Sequence, residues 1–142
     1  MGEDVLRANL ACALELGVNH LTVHVPHALA CEMERWEEGE PRPTGLYGAF
    51  EEVYERLFRA PVGAGLRLAV ENIHNPPGTP LDAPQRAFAT RIDEYLRWID
   101  GVTRRLAPDA VVGAHLDLGH ARNNGGDLDN LQPLCDWYAR LG

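Results

Sequence analysis

Apolar positions recur at helical spacing through Leu6, Leu10, Ala13 and Leu14, and Gly17 sits where such a helix would end. From about His20 to Val25 the period changes to two, with Leu21, Val23 and Val25 on one side and Thr22 and His24 on the other, which predicts a strand. The helix-strand unit then repeats. Phe50, Val53, Tyr54, Leu57 and Phe58 form the stripe of a second helix, followed by a glycine-bearing turn and a strand from about Leu66 to Glu71. Phe88, Ile92, Tyr95, Leu96, Ile99, Val102 and Leu106 hold one face for about five turns, predicting the longest helix, which Pro108 and Asp109 end. A third strand is expected from about Val111 to Asp117, and Leu131, Leu134, Cys135 and Tyr138 mark a final helix. Residues 26–46 contain Trp36, a run of glutamates, Pro41 and Pro43, and predict a long irregular loop; NIHNPPGTPLDAP and LGHARNNGGD predict two more.

Helices of this size between strands are the crossovers of a parallel sheet, which leaves an open doubly wound sheet or a barrel. The strands favour the barrel. Leu66, Leu68 and Val70 oppose Ala69 and Glu71, while Ala114, Leu116 and Leu118 oppose His115 and Asp117. One side of each strand is apolar and suited to helices; the other is small at depth and polar at its carboxyl end, as in a lumen opening on a catalytic mouth. The expected fold class is therefore α/β, a partial (β/α)8 barrel of about three parallel strands alternating with helices, in one domain over residues 1–142.

Composition narrows the chemistry. All thirteen basic residues are Arg and Ser is absent, so the chain can form no lysine Schiff base, no lysine-containing phosphate loop and no Ser-His-Asp triad. A net charge of −8 argues against an extended nucleic-acid surface and for a small polar substrate. No apolar run reaches the roughly 18 residues of a membrane span, and MGEDVLRANL lacks the order of an export signal, so a cytoplasmic location without membrane contact is expected. Cys12, Cys31 and Cys135 form no CxxC pair and are expected to be reduced and mostly buried.

Three predicted strands end at or near metal-capable side chains: His24, Glu71, and Asp117 with His120 just beyond. A parallel barrel collects such residues at the carboxyl ends of its strands, which points to metal-assisted chemistry. His115 is expected to face inward and pack behind the ligands, His20 to start a strand, and His27 to lie on an exposed loop. Trp36 fits either a lid over a substrate or an anchor for its loop, and the acidic run from Glu34 to Glu40 reads as a solvated surface.

The segments LAVENIHNP and HLDLGHA resemble the Glu-Asn-His and Asp-x-x-His segments of the xylose isomerase-like TIM barrels, and LGVNHLTVHVP is similar to the strand that precedes them. That superfamily includes sugar-phosphate isomerases and epimerases and the endonuclease IV type of AP endonuclease. The resemblance implies a divalent metal ion (Mn, Mg, Co or Zn) held by Glu71 and Asp117, with Glu71 also the catalytic acid/base. It implies metal or substrate binding by His120 and His24, and substrate binding by Asn72, His74 and Arg122. The implied activity is sugar or sugar-phosphate isomerisation or epimerisation through an enediolate. The alternatives are a metal-dependent AP endonuclease or phosphodiesterase of the same superfamily, and a non-catalytic barrel remnant.

A full barrel has eight strands and typically ~250 residues. The resemblance therefore covers a central part, with opening strands and the later strands that supply further ligands and a second acid/base absent. The isolated chain is expected to need the missing barrel half or a second copy of itself for robust catalysis.

Overall fold

The computed structural model describes residues 2–124 and 132–141. Helix α1 (Glu3–Glu15) carries Glu3 and Asp4 in its first turn, where negative charge suits the helix dipole, and buries Leu6, Leu10 and Ala13. Leu14 stays 39% exposed, off the buried stripe. Gly17, at φ +67°, turns the chain into β1 (His20–His24).

The expected loop of residues 26–46 is instead a short helix α2 (Ala30–Met33) and an antiparallel hairpin, β2 (Glu34–Glu37) and β3 (Glu40–Pro43). Glu38 and Gly39 both adopt positive φ, the geometry of the two-residue turn that matches strand twist. Pro41 and Pro43 are accommodated because, among the described residues, β3 pairs with β2 alone.

Helix α3 (Gly45–Gly63) is the longest, capped by Thr44, whose Oγ1 accepts from the Tyr47 N–H at 3.4 Å. It leads into β4 (Arg67–Glu71). The predicted long helix starting near Phe88 is shortened to α4 (Ile92–Arg104). Residues 86–88 are held otherwise: the Phe88 N–H donates to the Ala28 carbonyl at 2.9 Å, the Ala30 N–H donates to the Arg86 carbonyl at 2.9 Å, and Ala89 takes a positive φ that no helix tolerates.

Strand β5 (Val112–His115) is shorter than expected, and the segment after it, expected as loop, begins with helix α5 (Leu118–Asn123). Its last residues, Gly125, Gly126 and Asp127, lie outside the described residues. Helix α6 (Gln132–Leu141) buries Trp137 and leaves Tyr138 and Cys135 exposed, a different face from the one expected; Leu131 lies outside the described residues.

Strands β1, β4 and β5 form a parallel sheet in that order, so successive parallel strands are spatial neighbours linked by helical crossovers. The architecture is mixed α/β. Val23, Val25, Leu68 and Val70 are buried on one face with Phe58, Tyr95 and Trp98 from the helices, and Tyr47, Tyr54 and Phe88 pack edge-to-face around Trp98 at 5.2–5.9 Å. The opposite face carries Thr22, His24, Ala69, Glu71, Gly113 and His115 in lateral register, all partly or fully exposed. Helices thus cover one side of the sheet over β1 and β4, leaving Ala114 of β5 exposed at the edge, and the other side is open and polar.

Two further expectations change. Cys12, Cys31 and Cys135 are free thiols but all exposed, because each lies on the outward side of its helix. Trp36 is half exposed on the hairpin, with the Arg91 guanidinium 5.4 Å above its ring, so it ties the hairpin to the segment before α4. Among the described residues, no helix is long and apolar enough to cross a membrane.

Candidate metal centre

The parallel register sets His24, Glu71 and His115 side by side at the last paired positions of three strands. Of these, His24 and Glu71 meet, with His24 Nε2 3.9 Å from Glu71 Oε2. His115 turns aside: it is exposed, and its Nδ1 lies 3.0 Å from Thr22 Oγ1 across the open face. The side chain therefore lies along the sheet and not behind the ligands.

Asp117 follows β5 by two residues and is the N-cap of α5, its Oδ1 accepting from the His120 N–H at 2.9 Å. That backbone bond, ahead of the nearby His120 ring, holds the Asp117 carboxyl below the usual carboxylate range and keeps it charged. The cap also fixes His120 relative to Asp117. His120 Nδ1 lies 3.7 Å from Glu71 Oε1, and ligand atoms of Glu71, Asp117 and His120 all fall within 4.8 Å of one another. Atoms bound to one ion at about 2.1 Å stand no more than ~4.2 Å apart, so small side-chain movements would close the group. Two carboxylates and an imidazole, each half-buried, make a donor set that fits Mn, Mg, Co or Zn.

His120 Nδ1 donates to the Asn72 carbonyl oxygen at 2.9 Å. A carbonyl only accepts, so Nδ1 carries the proton and Nε2 keeps its lone pair; the nitrogen 3.7 Å from Glu71 Oε1 is thus the protonated one, and Nε2 is the atom an ion would take.

Glu71 and His120, but not Asp117, line an open cleft of about 690 Å³ together with His24, His27, Ile73 and His74, among others. The His74 ring lies 4.9 Å from that of His120, and the His27 ring 5.9 Å from that of His24. His27 is exposed, as expected, yet it reaches the cleft; sequence reasoning missed it because its loop position held no signal for the turn back toward His24. Although the residue is exposed, the loss of some water from its ring, reinforced by the neighbouring imidazoles of His24 and His74, lowers its pKa below 6.5.

Two of the predicted substrate residues are placed elsewhere. Asn72 is fully buried, and both ends of its amide bind the Asp117 peptide unit, leaving nothing to offer a substrate. Arg122 is exposed on α5 and does not line the cleft. Two other buried asparagines, missed in the sequence, brace the floor. The Asn75 N–H donates to Asn124 Oδ1 at 2.8 Å, Asn124 Nδ2 donates to the Ile73 carbonyl at 2.8 Å, and Asn75 Oδ1 accepts from the Ala87 N–H at 2.9 Å. The only hint of them is their position in loops rich in turn residues.

Fold and site together describe a mixed α/β protein with a carboxylate–histidine cluster at the carboxyl ends of its parallel strands. No protein-family model, curated protein or solved structure matches the chain.

Proposed function

We propose that the chain is a sector of a xylose isomerase-like TIM barrel and forms part of a divalent-metal-dependent sugar or sugar-phosphate isomerase or epimerase. The observation that carries this reading is the convergence of Glu71, Asp117 and His120, from two different strand ends, on a common point beside an open cleft. The sequential order of β1, β4 and β5, with one face covered by helices over β1 and β4 and the other polar, supports the barrel.

Glu71, Asp117 and His120 would hold the ion, which when bound supplies positive charge to offset that of an enediolate. Glu71 presents its two oxygens differently: Oε1 faces His120 and Oε2 faces His24. Oε2 is then the oxygen left to take a carbon-bound proton beside the substrate carbonyl, and His24 is the neighbour that can share it. His74, at the rim on the His120 side, can hydrogen-bond a substrate hydroxyl or phosphate oxygen. A second acid/base on the opposite face of the carbon would come from outside this sector.

A second reading, a metal-dependent AP endonuclease or phosphodiesterase, is favoured by His24 standing close enough to Glu71 to join an enlarged metal cluster. Elemental analysis of the purified 142-residue chain, beside a Glu71→Ala/Asp117→Ala variant, tests the site. Solvent deuterium uptake into ketose and ketose phosphate substrates, by the chain with and without the rest of a barrel, tests the isomerase. Metal lost in the variant together with deuterium uptake supports it. Binding of abasic DNA that depends on His24 would favour the second reading, and metal content unchanged by the double substitution would leave a non-catalytic remnant.

A further inference from the structure

We infer that Asn72 is the positioning residue of the Glu71–Asp117–His120 cluster, setting the orientation of Asp117 through its side chain and the tautomer of His120 through its own carbonyl. The inference rests on the proposed site and adds to it a residue that neither touches the cleft nor binds the ion.

The ladder between β4 and β5 reaches its last paired residues at Glu71 and His115. One step on, the Asn72 N–H donates to the His115 carbonyl at 3.3 Å. Beyond it β5 has ended, and the side chain of Asn72 replaces the missing strand contact. Its Oδ1 accepts from the Asp117 N–H at 2.6 Å and its Nδ2 donates to the Asp117 carbonyl at 3.1 Å. A primary amide therefore makes the two-bond exchange that a facing backbone residue makes in an antiparallel pair, just past the end of a parallel ladder. Asn72 itself is fully buried and the two bonds are part-buried, which limits competition from water. With both its N–H and its carbonyl held, the Asp117 backbone cannot rotate, and its carboxylate and the start of α5 are set together.

The carbonyl of Asn72 then accepts from His120 Nδ1 at 2.9 Å. Glu71 is the preceding residue in the chain, so one short segment supplies the first carboxylate, orients the second and selects the free nitrogen of the imidazole. No other side chain satisfies both ends. Asp would set a carboxylate oxygen against the Asp117 carbonyl, Ala would orphan the Asp117 N–H and carbonyl, and Gln would push an extra methylene into a filled space.

The test uses the full chain as wild type, Asn72→Asp and Asn72→Ala, with three readouts: imidazole ¹⁵N NMR of His120 without metal, hydrogen exchange of the Asp117 amide, and Mn²⁺ or Co²⁺ titration. Far-UV circular dichroism reports folding. The wild type should show His120 with Nδ1 protonated and a slowly exchanging Asp117 amide. Folded Asn72→Asp should keep the His120 tautomer, which the backbone carbonyl sets, while speeding Asp117 exchange and weakening metal binding by about 10–100-fold. A wild-type His120 protonated at Nε2, or a freely exchanging Asp117 amide, overturns the inference without any variant. So does a folded Asn72→Asp chain with wild-type Asp117 exchange and metal affinity. If the NMR signatures behave as expected but no chain binds metal, the positioning role stands and the metal reading of the cluster fails.

Discussion

Glu71 Oε1 stands 3.7 Å from His120 Nδ1, although one residue closes β4 and the other lies inside α5. The approach depends on Asp117 capping α5, which swings His120 back over the end of the neighbouring strand. Metal binding should therefore respond separately to loss of a ligand and loss of the cap.

Asp117→Asn retains a capping side chain, whereas Asp117→Ala does not. Both should lower Mn²⁺ affinity, but only Asp117→Ala should also cost about 1 kcal/mol of stability. Isothermal titration beside urea denaturation separates the two. Equal metal occupancy in Asp117→Asn and wild type would remove Asp117 from the ligand set.

Glu71→Gln keeps the size of the side chain and removes its basicity. In the catalytically complete protein it should reduce turnover by roughly 10²–10⁴-fold while leaving the urea midpoint in place. Unaltered turnover would exclude Glu71 from proton transfer.

The Arg86 guanidinium and the Glu94 carboxylate form a bidentate pair with both side chains almost wholly buried. Removing one partner strands the other charge, so Glu94→Ala should destabilise the chain by about 3–5 kcal/mol. Replacing both with apolar residues of similar volume should recover much of that loss. Urea denaturation of the single and double variants measures it, and a single-variant loss below ~1 kcal/mol would mean that water reaches the pair.

The loss of some water from its ring holds the folded-state pKa of His27 below its unfolded value of 6.5. Between those two values the unfolded chain binds more protons, so this residue's contribution is fully present above about pH 6.5 and is lost as pH falls through that window. NMR titration should place the His27 midpoint below 6.5, and His27→Asn should flatten the stability profile there. A midpoint at or above 6.5 would contradict that loss of water from the ring.

Much of the site was legible in the chain. His24 and Glu71 do end parallel strands, and Asp117 and His120 do share the turn after the third. The roles of neighbours were harder to read. Asn72 and His74 look alike as polar residues following a strand, yet one is sealed inside and the other lines the cleft, because β4 ends at Glu71 and two-residue alternation no longer sets the direction of the side chains beyond it. The hairpin at Glu34–Pro43 was hidden because its prolines signal irregular chain unless the strand is known to be an edge.

The sequence by itself determined the alternation of helices and strands, the apolar side of each strand, and the acids and histidines available at the strand ends. These follow from periodicity and residue chemistry, which are local. Only the tertiary structure decided the order β1-β4-β5, the lateral alignment of His24 with Glu71, the clasp of Asn72 on Asp117 and the pairing of Arg86 with Glu94. Each of those joins parts of the chain brought together by packing, and a polar group's partner is settled by which other groups lose water beside it.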